Sequence, residues 1–305
     1  MFKRLWVTID CFLFTPISAN AVCIFRIGLG LSTMAAAIMR YPDFLMWYGE
    51  RGLTPYADVT DLRFVFSAWN FIEPTDKNLE ILLVLFLLAG LCLTIGLFSR
   101  FSTLSAYFLY TSFRTRNPSV WLSIDAALYL FLPLMIIAPI GEKFSVDQLI
   151  RKEFSKKFSK DYREKLHSPF AQRLMQFVVT GIYIRGFSSK IVTRAWTTGE
   201  NGLNYSIHSD WIKHGLPRIF ENHWFYLFAT GMTLGIELSL FTLIWFKETR
   251  YWTLAVGVFF HLLLNYAMNI DFLEYAVIAS YVLFIYPEDL ERILQRFNLK
   301  PSPVV

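Results

Sequence analysis

An all-α, polytopic transmembrane bundle of about eight spans, entered through an N-terminal interfacial helix, is the fold this sequence predicts. Three observations predict it. The chain of 305 residues is 55% hydrophobic and 18% aromatic against 17% charged, with a mean hydropathy of +0.41, too apolar for a soluble domain of this length. Its apolar residues gather into runs close to the roughly 20 residues that a helix needs to cross the hydrocarbon core. Its lysines and arginines gather between those runs, so the net charge of +5 speaks for orientation in a bilayer and not for nucleic acid.

Taken in order, residues 2–15 carry Lys3 and Arg4 ahead of an apolar stretch that Asp10 interrupts and no small-residue cleavage site closes. That pattern predicts an amphipathic helix lying in the interface and ending near Pro16, not a secretory signal. Spans follow at 18–39, 78–98, 100–114, 121–140, 171–192, 223–246, 251–269 and 271–287. The third is short and carries Tyr107, Tyr110 and Thr111. The loop from Gly141 to Arg173 holds nine lysines and arginines. Lys247 and Arg250, then Arg292, Arg296 and Lys300, fall on the same side, so the cationic excess predicts that both termini are cytoplasmic. The whole chain, 1–305, is expected to form one integral membrane domain, with a bundle over 16–287 and a cytoplasmic tail over 288–305.

Two long loops, 40–77 and 193–222, then face outward. The first, with YPDFLMWYGERGLTPYADVTDLRFVFSAWN, is too apolar for a free linker and too broken by Gly and Pro for a span, so it is expected to lie back on the membrane. The basic stretch 151–165, RKEFSKKFSKDYREK, mixes signs at helical spacing and reads as a solvated or lipid-headgroup helix. Cys11, Cys23 and Cys92 form no CxxC pair and support neither a disulfide framework nor a zinc site. His208, His214 and His223, with Asp210, match no metal-ligand spacing, and no metal is expected. P-loop, GxGxxG and nucleophile-elbow motifs are absent, and Gly28 and Gly30 lie inside a span, where small residues serve helix packing.

Charge at membrane depth costs roughly 2.5–3.5 kcal/mol on insertion scales and needs a partner or a watery cavity. Counting about 1.5 Å per residue from the cytoplasmic end, Arg26, Glu237 and His261 all reach roughly 11–15 Å, near the bilayer midplane. An Arg26–Glu237 ion pair with His261 close by is the simplest expectation, serving as a structural clamp or as a binding cluster. His261 and Asn265, four apart, present one polar face of their helix. Nearer the outer side Asp125 and Lys190 share a height and are expected to pair.

The stretch Gln176–Ser206 sets Arg185 and Lys190 into an apolar run, then brings Trp196, Gly199 and the polar residues Glu200, Asn201 and Gly202. Its order of Tyr183, a small-residue turn, Lys190, Trp196, Gly199 and Tyr205 resembles the membrane domain of the vitamin K-dependent gamma-glutamyl carboxylase and its bacterial relatives, the horizontally transferred transmembrane domain (HTTM) proteins. Arg26–Gly30 resembles an arginine-containing stretch of that family's first span. Glu237, Leu238 and Ser239 before Phe260 and His261 resemble another of its pairings. The resemblance implies that Lys190 acts as a base, that the cofactor or substrate is a lipid-soluble quinone-like molecule or a peptide, and that the chain resides in a bacterial inner membrane. Arg185 stands where relatives tend to be apolar. A lysine acting as base must lose its proton near pH 7, which desolvation or a nearby cation favours and a nearby carboxylate opposes. Two readings follow: a membrane enzyme using Lys190, or a non-catalytic module assisting export or maturation of a secreted peptide, with Lys190 snorkelling from a helix end.

Overall fold

The computed structural model describes residues 2–54, 66–157, 165–200, 222–268 and 272–297. Among them the fold is all-helical, with one isolated bridge, Ile17 to His167, in place of any sheet. The α-helices are α1 (Phe2–Phe14), α2 (Asn20–Arg40), α3 (Phe44–Tyr48), α4 (Asp76–Ile95), α5 (Ser99–Arg116), α6 (Asp125–Ile137) and α7 (Val146–Lys157). They continue with α8 (Phe170–Ile191), α9 (Arg194–Thr197), α10 (His223–Thr242), α11 (Arg250–Ala267), α12 (Leu273–Ser280) and α13 (Pro287–Arg296). Each of the eight apolar runs holds one helix. Three helical stretches, Asn20–Arg40, Asp76–Ile95 and His223–Trp245, are long and apolar enough to cross a membrane, and Asp125–Ile137 and Leu273–Phe284 are shorter apolar helices.

The chain divides into two compact units. The first takes in Met1–Leu174 and Ile285–Val305. Its centre is α2, packed along α4 and against α6, with α5 closing the layer between α4 and α6. Phe25, Leu29, Phe86, Leu128 and Phe131 fill the core; the Phe25 and Phe131 rings meet edge to face at 5.0 Å. At Gly30 a side chain would strike the backbone of Thr94, its Cβ lying 2.6 Å from the Thr94 nitrogen, so glycine there is what allows α2 and α4 to approach so closely.

Cations then fasten this unit from inside. Arg26, with no exposed surface, donates from its guanidinium to the carbonyls of Ile140 at 3.1 Å, Thr94 at 3.4 Å and Phe144 at 2.5 Å. Thr94 lies in the last turn of α4 and Ile140 just beyond α6, where unpaired carbonyls and the negative end of the helix dipole await a cation. Arg116, at the end of α5, donates to the carbonyls of Gly49 and Thr54 and holds the loop after α3 in place. Beside it Tyr48 is buried, which pushes its phenol above the ordinary tyrosine range against the pull of Arg40, so it stays protonated.

The second unit, Met175–Phe284, is formed by most of α8, then α9 to α12 with short 3-10 turns at Leu243–Trp245 and Tyr281–Phe284. Asn222 caps α10 by accepting from the Phe225 N–H at 2.8 Å. Gln176 of α8 donates to the Leu283 carbonyl at 2.6 Å, and Gly257 of α11 leaves the room into which Tyr281 fits.

Candidate functional site

The second unit gathers its polar residues on one face of α8. Tyr183, Gly186 and Lys190 recur at intervals of three and four, which stacks them along one side of the helix. Gly186 carries no side chain to keep α10 away: a Cβ there would stand 3.2 Å from Glu237 Oε1. The Glu237 carboxylate therefore comes alongside α8, and one turn further on the Lys190 ammonium donates to its Oε1. The side chains are 22% and 9% exposed respectively, so the pair is largely withdrawn from its surroundings. The other carboxylate oxygen, Oε2, is buried without a hydrogen-bond partner among the described residues. On the far side of the ammonium, the ring of Trp196 in α9 lies 5.1 Å away, within cation–π reach. Gly199 follows with φ +77°, and its missing side chain lets the turn press onto the backbone of Leu227 at the start of α10.

Seven residues back along α8, Tyr183 begins a line of four buried groups. Its hydroxyl meets His261 Nε2 at 2.6 Å and the Tyr281 hydroxyl at 2.5 Å, while His261 Nδ1 is hydrogen-bonded to Glu274. A neutral imidazole protonated on Nδ1 satisfies every member. Nδ1–H donates to the Glu274 carboxylate, Nε2 accepts the Tyr183 proton, and the Tyr183 oxygen accepts from Tyr281. Carboxylate, imidazole and hydroxyl stand in the order in which an orienting group, a base and the group it activates are set in acid–base sites. Asn265, one turn beyond His261, accepts from the Tyr275 hydroxyl at 3.1 Å, so the polar face of α11 is directed at α12 along its length.

The pairings expected from depth alone are replaced. Glu237 pairs with Lys190, not Arg26, because Glu237 is turned toward the gap at Gly186 and Arg26 is spent on three backbone carbonyls. Asp125 pairs with Arg40, not Lys190: Arg40 Nη2 donates to Asp125 Oδ1 at 2.6 Å, with side chains 1% and 0% exposed. Asp125 opens α6 and Arg40 closes α2, so each charge also faces the helix terminus whose dipole favours it. His261 is held by Tyr183 and Glu274. Arg185 lies on the exposed side of α8. Of the residues singled out in the sequence after Trp196, Asn201, Gly202, Tyr205, His208, Asp210 and His214 lie outside the described residues.

Sequence reasoning passed over Glu274 and Tyr281. Glu274 carried a usable signal, since a carboxylate inside the apolar run 271–287 demands a partner as much as Glu237 does. Tyr281 carried none, because a tyrosine in an apolar run is unremarked until its hydroxyl is placed.

No curated protein and no solved structure matches the chain. Residues 14–288 match the family model for the HTTM domain, from the end of α1 to the start of α13. With nearly all of its helices inside that match, the chain belongs to the HTTM domain family.

Proposed function

We propose that this HTTM-domain protein is an integral membrane enzyme in which Lys190 serves as a base toward a lipid-soluble quinone-like or peptide substrate. The observation that carries the reading is the Lys190–Glu237 pair, set against Trp196 and two turns from the Tyr183–His261–Glu274 line. A paired ammonium is not yet a base. An apolar substrate seated over the pair expels water, and in dry surroundings an amine beside a carboxylic acid costs less than two opposite charges. The ammonium proton then passes from Nζ to Glu237, whose Oε2 has no hydrogen-bond partner among the described residues. The freed amine takes a proton from the substrate and becomes an ammonium again, and Glu237 releases the proton it received to water that returns once product leaves. The resemblance to the carboxylase membrane domain supports the same assignment of Lys190.

The reading includes placement: a bacterial cytoplasmic membrane, eight spans, and both termini cytoplasmic, supported by the eight apolar runs and by the cations of the 141–173, 247–250 and 288–305 segments. Native mass spectrometry in mild detergent tests the substrate class. A co-purifying or added quinone retained by the wild type, and retained less by Trp196→Ala, is the expected result. Retention of phospholipid alone, with no binding of added quinone or peptide, would leave only the module reading.

A further inference from the structure

The buried line from Tyr281 to Glu274 is a chain of hydrogen bonds that all run one way. With the imidazole neutral and protonated on Nδ1, Tyr281 donates to the Tyr183 oxygen at 2.5 Å, Tyr183 donates to His261 Nε2 at 2.6 Å, and His261 Nδ1–H donates to the Glu274 carboxylate. All four side chains are buried, and they come from α8, α11, α12 and the turn that follows α12. Glu274 stands in the first turn of α12 and Tyr281 just past its end, so the residues that end the line are separated by about 10 Å along that helix. Gly257, one turn before His261, provides the space for the Tyr281 hydroxyl: a Cβ there would stand 2.8 Å from that oxygen.

Such a chain moves a proton without moving a heavy atom. A proton reaching the Tyr281 oxygen releases that hydroxyl's own proton to Tyr183, Tyr183 passes its proton to His261 Nε2, and Nδ1 passes its proton to Glu274, which becomes a carboxylic acid. Each phenol and the imidazole end with the number of protons they began with, the hydroxyls now pointing the other way and the imidazole protonated on Nε2. Held at His261 instead, the same proton makes an imidazolium paired with the Glu274 carboxylate. The groups that face the imidazole are Tyr183 of α8, Glu274 of α12 and Tyr281 of the turn after it. From α10, Glu237 comes alongside α8 at Gly186, one turn from Tyr183, with Lys190 against it. Carboxylate and imidazole set in series within the apolar runs 251–269 and 271–287 are the arrangement of an intramembrane proton relay.

We propose that Tyr281, Tyr183, His261 and Glu274 form a proton relay along α12, a proton-binding site separate from the Lys190–Glu237 pair and independent of the role given to Lys190. Its test needs no substrate. The full chain, labelled with nitrogen-15 in histidine and carbon-13 at the tyrosine Cζ, is placed in phosphatidylcholine nanodiscs and followed by NMR from about pH 8 to about pH 5, the range in which imidazole changes charge. His261→Gln identifies the His261 nitrogens by difference, and Tyr183→Phe and Tyr281→Phe identify the two Cζ signals. The His261 nitrogens are expected to move from the neutral to the imidazolium pattern, with the Cζ signals of Tyr183 and Tyr281 moving at the same midpoint as their hydroxyls reverse. In Tyr183→Phe, which cuts the line, the Tyr281 signal no longer follows His261. A His261 that keeps the neutral pattern throughout would overturn the proposal and leave a fixed clasp between helices. Titration of His261 with both tyrosine signals unmoved would overturn it as well, and so would a Tyr281 signal that still follows His261 in Tyr183→Phe. Should Tyr183→Phe fail to fold, the shared midpoint in the wild type decides.

Discussion

At the scale of single residues, the two buried ion pairs differ in what their loss should do. Arg40 and Asp125 are withdrawn almost completely. Asp125→Asn leaves a guanidinium without its counter-charge, and removing one partner of a buried pair costs roughly 3–5 kcal/mol. A clear fall in the melting temperature of the detergent-purified protein is expected, and Asp125→Asn melting with the wild type would contradict it. Glu237→Gln should cost less, because Lys190 keeps 22% of its side chain exposed and its long stem can carry the ammonium outward. The sequence made plain that Arg26, Asp125, Lys190, Glu237 and His261 needed partners. It could not say which, because depth along a helix follows from residue count, whereas pairing depends on rotation about the axis. Glu237 found Lys190 through the gap at Gly186, and Arg40, read as the first residue of a loop, proved to close α2.

At the scale of elements, close helix contact rests on absent side chains. Gly30→Ala would set a Cβ 2.6 Å from the Thr94 nitrogen and 2.8 Å from its Cα, so α2 and α4 must separate. Overpacking of this kind costs about 1–3 kcal/mol. The same thermal melts check it, and an unshifted melting temperature would show that the two helices yield freely. Gly186→Ala acts differently, since the atom it meets is the end of a flexible carboxylate: it should loosen the Lys190–Glu237 pair with a smaller stability loss, read as lower retention of bound quinone in native mass spectrometry. The positions of these elements were legible, each apolar run enclosing or nearly enclosing a helix. Their lengths were less so. The run 121–140 yields only Asp125–Ile137, because Ser123–Ile124 turns and Asp125 opens the helix, while the run 100–114 extends through Thr115 to Arg116, and both Arg114 and Arg116 fold back onto loop carbonyls.

For the molecule as a whole, the cation-rich segments predict that the C-terminus lies in the cytoplasm. An alkaline phosphatase reporter fused after Val305 is expected to be silent, and periplasmic activity would overturn the eight-span reading. Lys190 and Glu237 form an ion pair in the second unit, and what distinguishes a base from a structural cation is whether it must give up its proton. Lys190→Arg isolates that requirement, because arginine keeps the charge and the partner but is not deprotonated at working pH. In a strain lacking the wild-type gene, the account predicts that Lys190→Arg is made at normal abundance, melts close to the wild type and fails to restore function. Full restoration by Lys190→Arg would contradict it.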